Sequence, residues 1–264
     1  MKIRGMFVKI FCLILALMMT AAIFVGCDED NNKDENDSGS KEVNASEGKK
    51  IALTFDDGPH NVRTEQIVDE LNKYGYHATF FVVGNRIDGT TYNGASGLKY
   101  AYEAGNEIGI HGYTHEVYYD ECTIEEFESE LNRTKEAIHN VIPDAQIRLM
   151  RPIGGYITAE RVKQCPYAVI MWSVDSNDYK YTYKKGDTEK EWTEKVNTIV
   201  DNIMQDLEEG DIVLLHDLYE STYDAVVVLL KRLHEEGYTV VTVSELLNNP
   251  PAGEKFSYAV KSVG

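Results

Sequence analysis

The chain has 264 residues, 43% of them hydrophobic, enough to bury a core in one large domain or two small ones. Its formal charge is -18 and its Lys and Arg positions form no basic stripe, which excludes a phosphate-tracking surface and with it a nucleic-acid partner. Four cysteines are present; Cys12 and Cys27 fall in or beside a leader, and the remaining Cys122 and Cys165 are too few for a disulfide scaffold, though they could pair or stay as small buried hydrophobes.

Residues 1–26 carry Lys2, Arg4 and Lys9 ahead of an apolar run from Ile10 to Val25, the layout of a secretory signal. That run falls short of the roughly 20 residues of a comfortable bilayer span, so an uncleaved membrane helix is the alternative. It closes on Phe24-Val25-Gly26-Cys27, which resembles a bacterial lipobox whose cysteine becomes lipidated, with Phe24 in place of the usual aliphatic residue. Membrane attachment is expected only through this leader or a lipid at Cys27. Residues 27–47 hold eight Asp or Glu against Lys33 and Lys41 and almost nothing apolar, so they are expected to form a disordered acidic tether. The leader carries +3 and the tether -6, which leaves -15 on residues 48–264.

From residue 50 one grammar repeats: a strand-like apolar run, a loop, a helical stretch, then Gly and the next run. The joints fall at Gly75, Gly105, Gly210 and Gly237, where a left-handed residue commonly ends a helix. Seven runs read as strands, at 51–56, 78–83, 107–111, 147–151, 167–174, 212–216 and 239–243. Helical periodicity is plainest at 123–142, 192–207 and 223–234, and the Tyr- and Lys-rich segment 179–192 is the one long loop. Strands alternating with helices predict an α/β fold, a parallel sheet with helices outside.

The first run ends at Asp56-Asp57-Gly58-Pro59. Side chains on a strand alternate faces, so two adjacent carboxylates converge only where the strand breaks, and Gly58-Pro59 supplies a break. The same residues could simply begin a turn. Their company argues otherwise. Asp56 and Asp57, His111, Arg151, Asp175 and His216 each fall at or just past the C-terminal end of a different predicted strand, positions that a closed (β/α) barrel gathers onto one face. His111 and His115, four apart, would share a face on one helical turn; with Asp57 they make a two-His, one-carboxylate set with open positions, which suits a catalytic divalent ion.

Five stretches in this order, Thr54-Phe55-Asp56-Asp57-Gly58, His111 to His115, Arg151 to Gly155, Asp175 to Tyr179 and Leu214-Leu215-His216, resemble the NodB-homology polysaccharide deacetylases, carbohydrate esterase family 4. The resemblance covers roughly residues 48–248 and implies a distorted (β/α)7 barrel forming a single catalytic domain, 48–264. It implies Asp56 as catalytic base, Asp57, His111 and His115 as metal ligands, and His216 as catalytic acid. Leu214 would meet the acetyl methyl and Asp175 would partner the catalytic machinery. Gly112 stands where Ser or Thr is usual, Ile153 and Gly154 where Pro and an aromatic residue are common, and Tyr179 in place of Trp. Gly154 can still offer its backbone N–H to an oxyanion, but no side chain to the groove.

One divalent ion is expected, zinc ahead of cobalt or manganese, with an acetylated glycan as partner and the oligomeric state open. Arg151 would keep Asp56 charged, and Asp175 would orient or charge His216. The expected activity is hydrolysis of acetyl groups from N-acetylated sugars, peptidoglycan first, by a protein lipid-anchored at the outer face of the cell membrane or simply secreted. Alternatives are an O-acetyl esterase of xylan or another polysaccharide, a glycan-binding module that kept the fold, and a non-haem iron oxygenase, in which Asp56 and His216 have no role.

Overall fold

The computed structural model describes residues 48–89 and 93–258. The leader, Cys27 and the acidic tether lie outside the described residues. In chain order the strands are β1 (Lys49–Asp56), β2 (Thr79–Val82), β3 (Glu107–Ile110), β4 (Leu149–Met150), β5 (Ala168–Ile170), β6 (Val174–Asp175), β7 (Ile212–His216), β8 (Tyr238–Val240) and β9 (Lys255–Phe256). The helices are α1 (Arg63–Asn72), α2 (Gly84–Asp88), α3 (Ala95–Glu103), α4 (Ile124–Val141), α5 (Ala159–Gln164), α6 (Glu189–Met204), α7 (Glu220–Glu235) and α8 (Val243–Leu246).

The sheet runs β6-β7-β1-β2-β3-β4-β5-β9, with β8 paired to the start of β1, and every one of these ladders is parallel. It curls into the distorted (β/α)7 barrel expected from the sequence. The distortion has a place: among the described residues no ladder joins β6 to β5 or β9. The expected strand 167–174 breaks at that seam. Its first part, β5, pairs with β4 and β9, and its last part, β6, crosses to pair with β7. The two-residue β9 is an addition, too short to carry a sequence period.

Alternation along the strands decides which side chains reach the interior. Ile51, Leu53 and Phe55 of β1 pack outward with Ile67 and Leu71 of α1 and Leu229 and Leu233 of α7. Burying each such side chain contributes about 1.5–3 kcal/mol. Ala52 points the other way, into a second cluster with Phe81, Leu149, Ala168, Ile170 and Ile212. The same parity carries Thr54 and Asp56 on β1, Leu214 and His216 on β7, and Arg151 after β4 toward the barrel axis.

Helices α4 and α6 begin at capping boxes, Thr123 with Glu126 and Thr188 with Glu191, each side chain meeting the other's backbone N–H. Because of that cap α6 starts three residues before the expected 192; its first turn, Glu189-Lys190-Glu191, is polar and adds nothing to the apolar period. Cys122 and Cys165 are both free, and burial pushes the Cys165 thiol up to about 11.

Candidate active site

Asp56 and His216 are register partners on the adjacent strands β1 and β7, so the expected base and acid stand on the same rung of the sheet. One residue later Asp57 takes a left-handed conformation (φ 71°) before the cis Gly58-Pro59 peptide. That turn sends the Asp57 carboxylate back over the barrel mouth, where strict alternation would have sent it toward the helices. Gly58 has no room for a side chain, since a Cβ there would overlap the Asp217 carboxylate. Asp217 is fully buried beneath this turn and accepts the hydroxyl of Thr64; burial pushes its pKa up to about 7.

His111 and His115 follow β3. The expected helical turn is absent: both lie on a loop in which Gly112 (φ 84°) and His115 (φ 62°) are left-handed. Two reversals in five residues bring the rings together all the same, with centroids 5.4 Å apart. The loop is held from below by Glu130 of α4. Its Oε2 accepts the backbone N–H groups of Tyr113 (2.7 Å) and Thr114 (2.8 Å), and its Oε1 accepts the Thr114 hydroxyl at 3.1 Å. A Cβ on Gly112 would sit 2.8 Å from Tyr119 Oη and 3.2 Å from Glu130 Oε2, so the space of the usual Ser or Thr is already taken.

The three ligand atoms lie within 4.8 Å of one another. Asp57 Oδ1 is 2.8 Å from His115 Nε2 and 3.4 Å from His111 Nε2. The far nitrogen of His111, Nδ1, lies 2.9 Å from the Arg151 carbonyl oxygen; donating there, it leaves Nε2 as a lone pair. Asp57 Oδ1 is buried and has no hydrogen-bond partner apart from these two imidazoles. A carboxylate oxygen and two imidazole nitrogens aimed at one point are stable only if protons or a cation stand between them. Asp56 and Asp57 accordingly raise the pKa of His111 although burial works against it. These residues fit a divalent ion.

Arg151, fully buried, organises the other half. Its Nη1 donates to Asp56 Oδ1 (2.8 Å) and Thr54 Oγ1 (2.7 Å), while Nε and Nη2 donate to the carbonyls of Ile170 and Met171. The guanidinium thus ties β1 to the chain leaving β5, beside the seam.

One expected partnership is corrected. Asp175 does not touch His216; its Oδ1 accepts the backbone N–H of Asn177 at 2.8 Å. Asn177 is left-handed (φ 55°), and the reversal slides Asp178 under the ring instead, where Asp178 Oδ1 lies 2.7 Å from His216 Nδ1. Asp178 is fully buried and also accepts the Thr222 hydroxyl. Burial works against the His216 cation, but the bond to Asp178 outweighs it and pushes the pKa up to about 9. Asp178 stands in the stretch 175–179 singled out by sequence; choosing between its two carboxylates needed the turn at Asn177.

A cleft of about 380 Å³ takes in Asp56, Asp57, His111, His115, Gly154, Asp175, Tyr179, Leu214 and His216. Every expected site residue except the buried Arg151 is thus on its wall. Tyr118, Tyr156, Trp172 and Tyr219 also line it and were not anticipated. Tyr179 meets His216 edge to face, with centroids 5.9 Å apart.

The sequence pattern described as polysaccharide deacetylase matches residues 44–170. The peptidoglycan-N-acetylglucosamine deacetylase of Bacillus cereus is 33% identical over 75% of this chain and 87% of its own length. The chain belongs to the polysaccharide deacetylase family. It is 37% identical to the peptidoglycan-N-acetylmuramic acid deacetylase PdaC of Bacillus subtilis over 75% of this chain, but spans only 38% of that protein's length. The solved structure of PdaC superposes with a TM-score of 0.66 at 35% identity, covering 75% of this chain and 90% of that one. A bifunctional xylanase/deacetylase of Pseudobutyrivibrio xylanivorans is 30% identical over 86% of this chain and 35% of its own length.

Proposed function

We propose that this polysaccharide deacetylase removes acetyl groups from N-acetylated sugars of a glycan, with cell-wall peptidoglycan as its target. One observation carries the reading. Asp57, His111 and His115 converge on one point, with Asp56 beside it and His216 on the same rung of the sheet, in a single open cleft.

Two imidazoles and one carboxylate with free positions suit zinc, with cobalt or manganese as substitutes. An ion held there is a Lewis acid that polarises a carbonyl and acidifies water to a pKa of about 7. The remaining work falls to the chain. Asp56, oriented by Arg151, takes the proton of the attacking water. His216, kept cationic by Asp178, gives a proton to the departing nitrogen, without which an amide does not break. The Gly154 N–H is assigned to the carbonyl oxygen as charge builds on it, Leu214 to the acetyl methyl, and Tyr179 to the wall beside His216. Asp175 lines the cleft and holds the turn that delivers Asp178.

The reading also places the protein at the outer face of the membrane through Cys27, supported by the leader and tether in the sequence. Among the described residues no helix is long and apolar enough to cross a membrane.

The test is acetate release from purified peptidoglycan, chitin oligomers and acetylated xylan, with and without added zinc. Metal-dependent release from peptidoglycan is expected. Release from xylan alone would replace the reading by an O-acetyl esterase, and binding without release by a glycan-binding module.

A further inference from the structure

Tyr118 and Tyr156 are exposed by 47% and 54%, among the largest apolar exposures on the described surface. Neither is loose. An isolated parallel bridge joins Tyr119 to Ile157, the residues immediately following each. Tyr119 points into the core, edge to face on Phe127 at 4.9 Å, so alternation turns Tyr118 outward, and the bridge brings Tyr156 out beside it. The two rings meet at right angles, with centroids 5.5 Å apart. Two aromatic rings locked together in solvent do nothing for the core, and such exposed apolar surface commonly marks a binding site.

The pair is also continuous with the catalytic cleft. Both rings line it, and both line an adjoining hollow of about 280 Å³ together with the carboxylates of Asp120 and Glu121. The absence of a side chain at Gly154 is what admits this arrangement. A Cβ there would stand 2.7 Å from Tyr156 Cε2, so the ring of Tyr156 occupies the room an aromatic residue at 154 would need. The aromatic surface missing from position 154 is supplied from position 156, displaced outward along the rim.

We propose that Tyr118 and Tyr156 form a subsite for the pyranose next to the sugar being deacetylated. This rests on the deacetylase reading. A pyranose presents a face of C–H bonds, which the negative face of an aromatic ring attracts, and a rim of hydroxyls, which the Asp120 and Glu121 carboxylates can accept. The rings are already paired and buttressed, so little freedom is lost when a sugar settles on them. The chain is therefore built to act within a polymer, and its efficiency depends on a neighbouring sugar unit.

The test compares kcat/KM for a hexameric N-acetylglucosamine oligomer with that for 4-nitrophenyl acetate, in the full chain with zinc. Tyr156→Ala and Tyr118→Ala should each lower the ratio, by about tenfold for Tyr156, mostly through KM on the oligomer, as expected for loss of one aromatic contact surface. Tyr156→Phe should keep the parental ratio, because stacking needs the ring and not the hydroxyl. A smaller folded fraction lowers both activities alike and leaves the ratio alone. Alanine variants with the parental ratio overturn the subsite while the deacetylase reading stands, and a phenylalanine variant as impaired as alanine overturns stacking as its basis. A parent that releases acetate from no glycan ends both.

Discussion

His216 is bound twice by the one carboxylate of Asp178, through Nδ1 to Oδ1 at 2.7 Å and through its backbone N–H to Oδ2 at 2.8 Å. The ring and the strand that carries it are thus fixed by the same group, which also raises the imidazole pKa to about 9. A free imidazole titrates near 6.5, so His216 is a cation across the neutral range and loses its proton only as the pH rises through about 9. For a proton donor the sign follows: kcat/KM on an N-acetyl substrate should fall on the alkaline side of about 9. Asp178→Asn should move that limb to lower pH and reduce the rate at neutral pH by about 10² or more, leaving zinc affinity unchanged. A pH–rate profile of both proteins checks it; an unmoved limb would separate Asp178 from the acid.

Asp56 and Asp57 are adjacent but should fail differently. Asp56→Asn should retain the metal and lose about 10²- to 10⁴-fold in rate, whereas Asp57→Asn should lose affinity for the ion as well. Metal titration alongside acetate release tells them apart. If the two variants lose metal equally, the division between base and ligand is wrong.

Glu130 is not one of the three converging groups Asp57, His111 and His115, yet it holds the loop between the two histidines. Glu130→Ala should weaken zinc binding by about 10- to 100-fold, as loss of a supporting contact to ligands typically does. Glu130→Gln keeps an acceptor oxygen and should recover much of that loss. Zinc titration of the metal-free proteins, with circular dichroism to confirm folding, reads this directly.

Arg151→Met should be the most damaging of these changes to stability. Removing the cation strands the buried Asp56 carboxylate and two carbonyls, and breaking a buried pair costs about 3–5 kcal/mol. Urea unfolding measures it. A loss below 1 kcal/mol would show that water enters and solvates the site.

Cys27→Ser should move the protein from the membrane fraction to the medium. A variant that stays membrane-bound would point to an uncleaved leader helix in place of a lipid.

Much of the site was legible because strand ends are legible. Apolar runs stopping at Asp56, His111 and His216 located three walls of the cleft, and the run stopping at Arg151 located the buried cation behind Asp56; the parallel sheet follows from the alternation with helices. What stayed hidden was written in backbone reversals. The left-handed residues Asp57, His115 and Asn177 are not glycines, so their conformations are invisible in sequence, and each redirects a functional carboxylate or imidazole. The helical turn expected for His111 and His115 gave the right neighbours by the wrong geometry, and Asp175 was preferred to Asp178 because nothing before the fold announces the turn between them. Tyr118 and Tyr156 were missed for another reason: their partnership depends on a bridge between two loops 38 residues apart.

Arg151 meets the ligand His111 with its main chain and the carboxylate Asp56 with its side chain, and its other nitrogens reach across to the carbonyls of Ile170 and Met171. Heredity sees these as one position. A lineage of such chains can drift at Asp56 and keep its ion, or drift at His115 and keep its base, losing one half of the chemistry at a time. At 151 a substitution leaves the carbonyl beside His111 in place, but it removes in one step the base's charge partner and the side-chain ties to Thr54, Ile170 and Met171. Descendants that have given up catalysis while keeping the fold should therefore have changed their carboxylates first and this arginine last.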